Sequence, residues 1–156
     1  MQTIIPILTP FLLFLLWQYQ AMNEGKEEGL YYSCKNKNIA LTGLDEHSFW
    51  TIQRVVIAAG FIAQFITYQY YLGATWWLAI ILTLALAAAY MLVFSFWHNG
   101  KLYQTLNMFT LSGRYTDGWK ASIDGKAKND FTYPQRLKML VAGWAIFIIL
   151  TLTEIL

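Results

Sequence analysis

Long uninterrupted apolar runs, rather than alternation of apolar and polar positions, organise this chain. Four stand out: "TIIPILTPFLLFLLWQYQAM" (residues 3–22), "VVIAAGFIAQFITYQYYL" (55–72), "ATWWLAIILTLALAAAYMLVFSFW" (74–97) and "MLVAGWAIFIILTLTEIL" (139–156). A hydrocarbon layer of ~30 Å takes about 20 apolar residues of helix. Strands of a membrane barrel would show a period of two, which is missing, and backbone groups in lipid must be paired within the segment. The pattern predicts an all-α integral membrane protein with four transmembrane helices, at about 3–22, 50–72, 75–98 and 137–156.

Only "LGAT" (residues 72–75) separates the second and third runs, which predicts a tight antiparallel hairpin. The other connections, 23–46 and 99–135, are long and belong to the opposite side. Within 99–135, Leu102, Leu106 and Phe109 keep helical spacing, so this part either prolongs the third helix or lies along the headgroups. Gly25 and Gly29 are expected to weaken any extension of the first helix beyond residue 22. Pro6 and Pro10 fall in its first turns, where a missing N–H donor costs least. No Lys or Arg precedes the first run and no small-x-small pattern follows it, so it is expected to be retained rather than cleaved.

Composition agrees with this reading. The 156 residues are 57% hydrophobic and only 13% charged, against about 25% charged in soluble domains. One small core cannot hide so much apolar surface, and a lipid bilayer is the expected partner. A formal charge of +2 and the absence of a basic arm argue against nucleic acid. Cys34 is the single cysteine, which excludes an internal disulfide and paired-cysteine metal sites.

Charge also sets the orientation. Lys26, Lys35, Lys37, Arg54, Lys101, Arg114, Lys120, Lys126, Lys128, Arg136 and Lys138 all belong to the side of the two long connections. Basic residues in short loops stay in the cytoplasm. Both termini are therefore predicted outside, in a membrane of the bacterial inner type, with 23–46 and 99–135 forming a cytoplasmic cap.

The candidate chemistry lies at that cap. "HSFW" (47–50) and "SFWH" (95–98) place His47 and His98 equally far from the hairpin turn and at one depth. Glu24 and Glu28, four apart on one helix face, share that side. Histidines with carboxylates can ligate a metal or handle protons, and two histidines can ligate haem. The plainer reading makes both histidines part of an interfacial belt with Trp50 and Trp97, matched by Trp76 and Trp77 at the hairpin end. Arg54 with Gln53 is a candidate contact for lipid headgroups or another anion. Gln64 is a polar residue near mid-membrane that is expected to face the bundle.

No phosphate-binding glycine loop, nucleophile elbow or His-x-x-x-His spacing is present. The favoured expectation is a non-enzymatic accessory or assembly subunit that binds a larger membrane partner or itself. A metal- or haem-binding redox protein using His47 and His98 is the alternative. A small oligomeric channel or transporter is the third. No cofactor is favoured by the sequence.

Overall fold

The computed structural model describes residues 4–36, 46–71, 73–109, 117–121 and 130–155. Four α-helices make up nearly all of this: α1 (Ile4–Asn36), α2 (Glu46–Tyr71), α3 (Trp76–Phe109) and α4 (Tyr133–Ile155). A 3-10 turn, Gly118–Lys120, lies between α3 and α4. Three helices contain stretches long and apolar enough to cross a membrane: Thr51–Tyr70, Trp76–Met108 and Tyr133–Leu152.

Both α1 and α3 run further than the apolar pattern alone suggests. At 33 and 34 residues each is about 50 Å long. Residues 23–36 and 99–109, expected as loop, are helix. The cause for α1 is at its two glycines. A Cβ at Gly25 would collide with the His98 carbonyl oxygen. One at Gly29 would lie 2.7 Å from Thr105 Cβ and 3.0 Å from the Leu102 carbonyl oxygen. The glycines that weaken an isolated helix therefore let α1 press directly on α3, and packing outweighs propensity. On α3, Leu102 and Leu106 are fully buried beside Tyr103, with Tyr32 of α1 and Ala121 against them. The helical spacing at 102–109 thus prolongs α3.

Successive helices run antiparallel, so α1 and α3 lie parallel. Gly25 meets His98, and Gly29 meets Leu102 and Thr105. The main core joins α1, α3 and α4 through Phe14, Trp17, Leu86, Ala89, Tyr90, Val93 and Phe147. Phe14 and Phe147 stack at 4.4 Å with an interplanar angle of 1°. Gly143 admits α4 to within van der Waals range of Ala89, Leu92 and Val93. α2 packs against α1 and α3 from the side, with Gly60 seated on the Trp17 indole.

The ends are defined by local chemistry. Gly73 takes φ +60° in the α2–α3 connection, a left-handed conformation that suits glycine. Thr75 then caps α3, with its hydroxyl oxygen 3.5 Å from the Leu78 N–H. Thr132 and Gln135 form a capping pair at α4, where the Thr132 N–H donates to Gln135 Oε1 at 2.9 Å.

Candidate functional site

Where α1, α2 and α3 meet at the end remote from the Gly73 hairpin, polar side chains enter the interior. Glu24 and Glu28 stand one helical turn apart on α1, on either side of the contact made by Gly25. That contact brings both carboxylates to His98, which is completely buried on α3. His98 Nε2 lies 3.0 Å from Glu28 Oε2 and 3.9 Å from Glu24 Oε1. The shorter approach is within ion-pair range of a protonated ring and is not aligned for a linear hydrogen bond.

The other ring nitrogen is committed. Asn99 Nδ2 donates to Ser95 Oγ at 3.2 Å, which turns Asn99 Oδ1 toward His98 Nδ1 at 2.9 Å. An amide oxygen only accepts, so this contact is made by the tautomer that carries its hydrogen on Nδ1. Nε2 is left to face two carboxylates, and a bare lone pair there would be repelled by both. Phe94 stacks on the imidazole with centroids 4.8 Å apart and fixes its plane.

α2 completes the cluster through Gln53, which is buried. With its NH2 group turned to the carboxylate, Gln53 donates to Glu24 Oε2 at 3.0 Å and accepts from the Glu24 N–H at 3.3 Å. Three helices thus contribute to one buried polar cluster.

The residues singled out from sequence divide. Glu24, Glu28, His98 and Gln53 come together. Arg54, the neighbour of Gln53, is exposed on α2 while Gln53 is buried. His47 lies in the first turn of α2, but its side chain and that of Trp50 are outside the described residues. His98 is interior rather than part of a lipid-facing belt. Trp97 is also tied inward: its Nε1 donates to Gln18 Oε1 at 2.7 Å, and Gln18 Nε2 donates to the Phe14 carbonyl at 3.2 Å. Trp76 and Trp77 are exposed near the hairpin and stack on each other at 3.6 Å. Gln64 is fully buried.

Among the described residues, no group of three or more His, Cys, Asp or Glu side chains is disposed to hold a metal ion. With Nδ1 bonded to Asn99 and Nε2 turned to the carboxylates, His98 has no nitrogen directed at an open axial position for haem.

Sequence reasoning passed over several residues here. Asn99 and Ser95 set the tautomer, and their signal is one of spacing: both sit within a turn of His98. Arg136, counted above only as a loop charge, is fully buried in the first turn of α4. Its Nη2 donates to the carbonyls of Trp119 at 3.0 Å and Ala121 at 2.7 Å, fastening the 3-10 turn. The rings of Tyr133 and Tyr103 lie 5.7 and 6.0 Å from its guanidinium carbon. Tyr103 in turn donates to Asp130 Oδ1 at 2.7 Å. Only distant pairing across the fold gives Arg136 this role, and no local pattern announces it.

Compared with protein-family models, curated proteins and solved structures, the chain matches none of them.

Proposed function

We propose that this is a four-span membrane protein whose working element is a protonatable centre formed by His98, Glu28 and Glu24. One observation carries the reading: the fully buried His98 ring has Nδ1 2.9 Å from Asn99 Oδ1 and turns Nε2 toward two carboxylates, Glu28 at 3.0 Å and Glu24 at 3.9 Å. Taking a charged group out of water is costly, and intramembrane ionisable groups are functional candidates by default. A buried histidine with carboxylate partners can accept a proton from one side and give it to another, the chemistry of proton-coupled transport and of general acid–base catalysis.

In this reading α1 also crosses the membrane, because its apolar half lies along α3 and contributes Phe14 and Trp17 to the core. Lys26, Arg54, Lys101, Lys120, Arg136 and Lys138 share the end that bears the centre, which favours placing that end in the cytoplasm with both termini outside.

The test is nitrogen-15 NMR of the imidazole in the full-length protein in lipid nanodiscs. A functional centre gives a His98 ring that changes protonation over the range in which protein histidines titrate. His98→Gln identifies its signals. A ring locked in one state throughout would reduce the cluster to a structural pin, as an accessory subunit with no proton chemistry would have it.

A further inference from the structure

The inward face of α2 is apolar after Gln53, where Ile57 and Phe61 pack on the core, and turns polar again nearer the hairpin. Gly60, Gln64, Thr67 and Tyr68 follow it into the bundle, and Gln64 and Tyr68 are fully buried. Thr67 satisfies its hydroxyl on the Ala63 carbonyl at 2.9 Å. Gln64 does not: among the described residues, neither its amide nitrogen nor its oxygen meets a partner. Across from it on α1, the Trp17 Nε1 donor is likewise buried without a protein acceptor. A Cβ at Gly60, one turn before Gln64, would sit 2.8 Å from that nitrogen. Two neighbouring helices thus bring two buried polar side chains, unsatisfied among the described residues, to within about one helical turn of each other. Each such group costs about 1–3 kcal/mol if it stays unsatisfied, and more where lipid excludes water.

This level lies between the two ends. Gln64 is eleven residues from Gln53, about 16 Å along the helix. Tyr68 is one turn further, where its carbonyl accepts from the Ala74 N–H at the hairpin, 3.2 Å away. Toward the centre, Trp17 packs against Tyr90 at 5.5 Å, Tyr90 against Phe94 at 5.9 Å, and Phe94 on His98.

We infer that Trp17 and Gln64 hold ordered water, and that this hydrated stripe of α2 is the path by which protons travel between the hairpin end and His98. The inference rests on the proton-handling reading above and gives that centre its substrate. The indole can only donate, so it holds a water oxygen; the amide donates and accepts, so it holds water in either orientation. A proton arriving along the water forms an N–H bond at a neutral Nε2 as an O–H bond of the last water breaks. The imidazolium is balanced by Glu28 and Glu24. It then releases the proton through Glu24, 14% exposed at the charged end, to water there.

Two measurements on the full-length protein decide it. The first needs no variant: the Trp17 indole N–H, assigned with Trp17→Phe, should exchange with deuterated water far faster than the backbone N–H groups around it. An indole as protected as that backbone overturns the hydrated stripe. The second uses phosphatidylcholine vesicles with trapped pyranine and a potassium diffusion potential. Protein-containing vesicles should acidify faster than protein-free ones, with a severalfold loss in Gln64→Met, an apolar replacement of similar length suited to a bundle interior. Flux equal to that of empty vesicles, or unchanged in Gln64→Met, overturns the path. If His98 titrates by NMR while these tests fail, the path is wrong and the centre stands. If His98 does not titrate, the centre falls, whatever the flux.

Discussion

The contact between α1 and α3 at Gly25 gives a sharp prediction about stability. Gly25→Ala adds one methyl group at a place where the obstacle is the His98 carbonyl oxygen, part of a helical backbone that cannot rotate aside. Overpacking of this kind costs about 1–3 kcal/mol. Replacing a mid-helix glycine with alanine returns about 1 kcal/mol of helix propensity. The net expectation is a loss of about 1–2 kcal/mol, toward the upper end because the nearest atoms are backbone. Gly29→Ala meets Thr105 Cβ at 2.7 Å and the Leu102 carbonyl oxygen at 3.0 Å, both held by the α3 backbone, so it should also destabilise, but less than Gly25→Ala. Gly73→Ala places a methyl group in open space but at φ +60°, at a cost of about 1 kcal/mol from backbone strain alone. Unfolding by sodium dodecyl sulfate titration from mixed micelles, followed by tryptophan fluorescence, measures all three. Gly25→Ala should be the least stable, and its His98 signals should shift as the carboxylates are pushed away. Gly25→Ala as stable as the parent chain would refute the close approach of the two helices, and with it the geometry of the centre.

Other expectations follow from the same contacts. Glu28→Gln leaves His98 without its nearest charge partner and should destabilise by about 3 kcal/mol, the lower part of the range for breaking a buried pair. Combining it with His98→Gln should cost clearly less than the two single losses added together, and additivity in the same titration would mean the pair does not interact. Trp97→Phe removes the bond to Gln18 and should cost about 1 kcal/mol, while Trp76→Phe, on an exposed residue, should cost almost nothing. Arg136→Met releases the carbonyls of Trp119 and Ala121, so limited proteolysis should cut near residues 117–121 faster than in the parent chain; equal rates would show that the guanidinium does not fasten that turn.

The helical class and the hairpin were legible because each rests on a local quantity. Apolar run length gives the helices, and the four residues "LGAT" give the turn. The extensions of α1 and α3 were not legible, because Gly25 and Gly29 read as weak points until the partner surface is known. Their spacing, one turn apart, is a packing signal only when another helix lies against it. Glu24, Glu28 and His98 were legible as candidates by spacing and depth, yet which histidine joins the carboxylates depends on helix rotation. Asn99 and Ser95 lay within a turn of His98 but mattered only once the ring was seen to be buried. Arg136 was least accessible of all, since its burial comes from backbone carbonyls 15 and 17 residues away.

The parallel alignment of α1 and α3 has a consequence for biogenesis. During synthesis the segment bearing Glu24 and Glu28 emerges first, and no histidine from α3 can reach it until α2 has turned back and α3 packs beside α1. Ser95, His98 and Asn99 come from one helix, so their half of the centre exists as soon as α3 is wound. Union of the two halves is thus a late event in assembly, and a chain stopped after α2 would carry its acids without the base they were placed to meet.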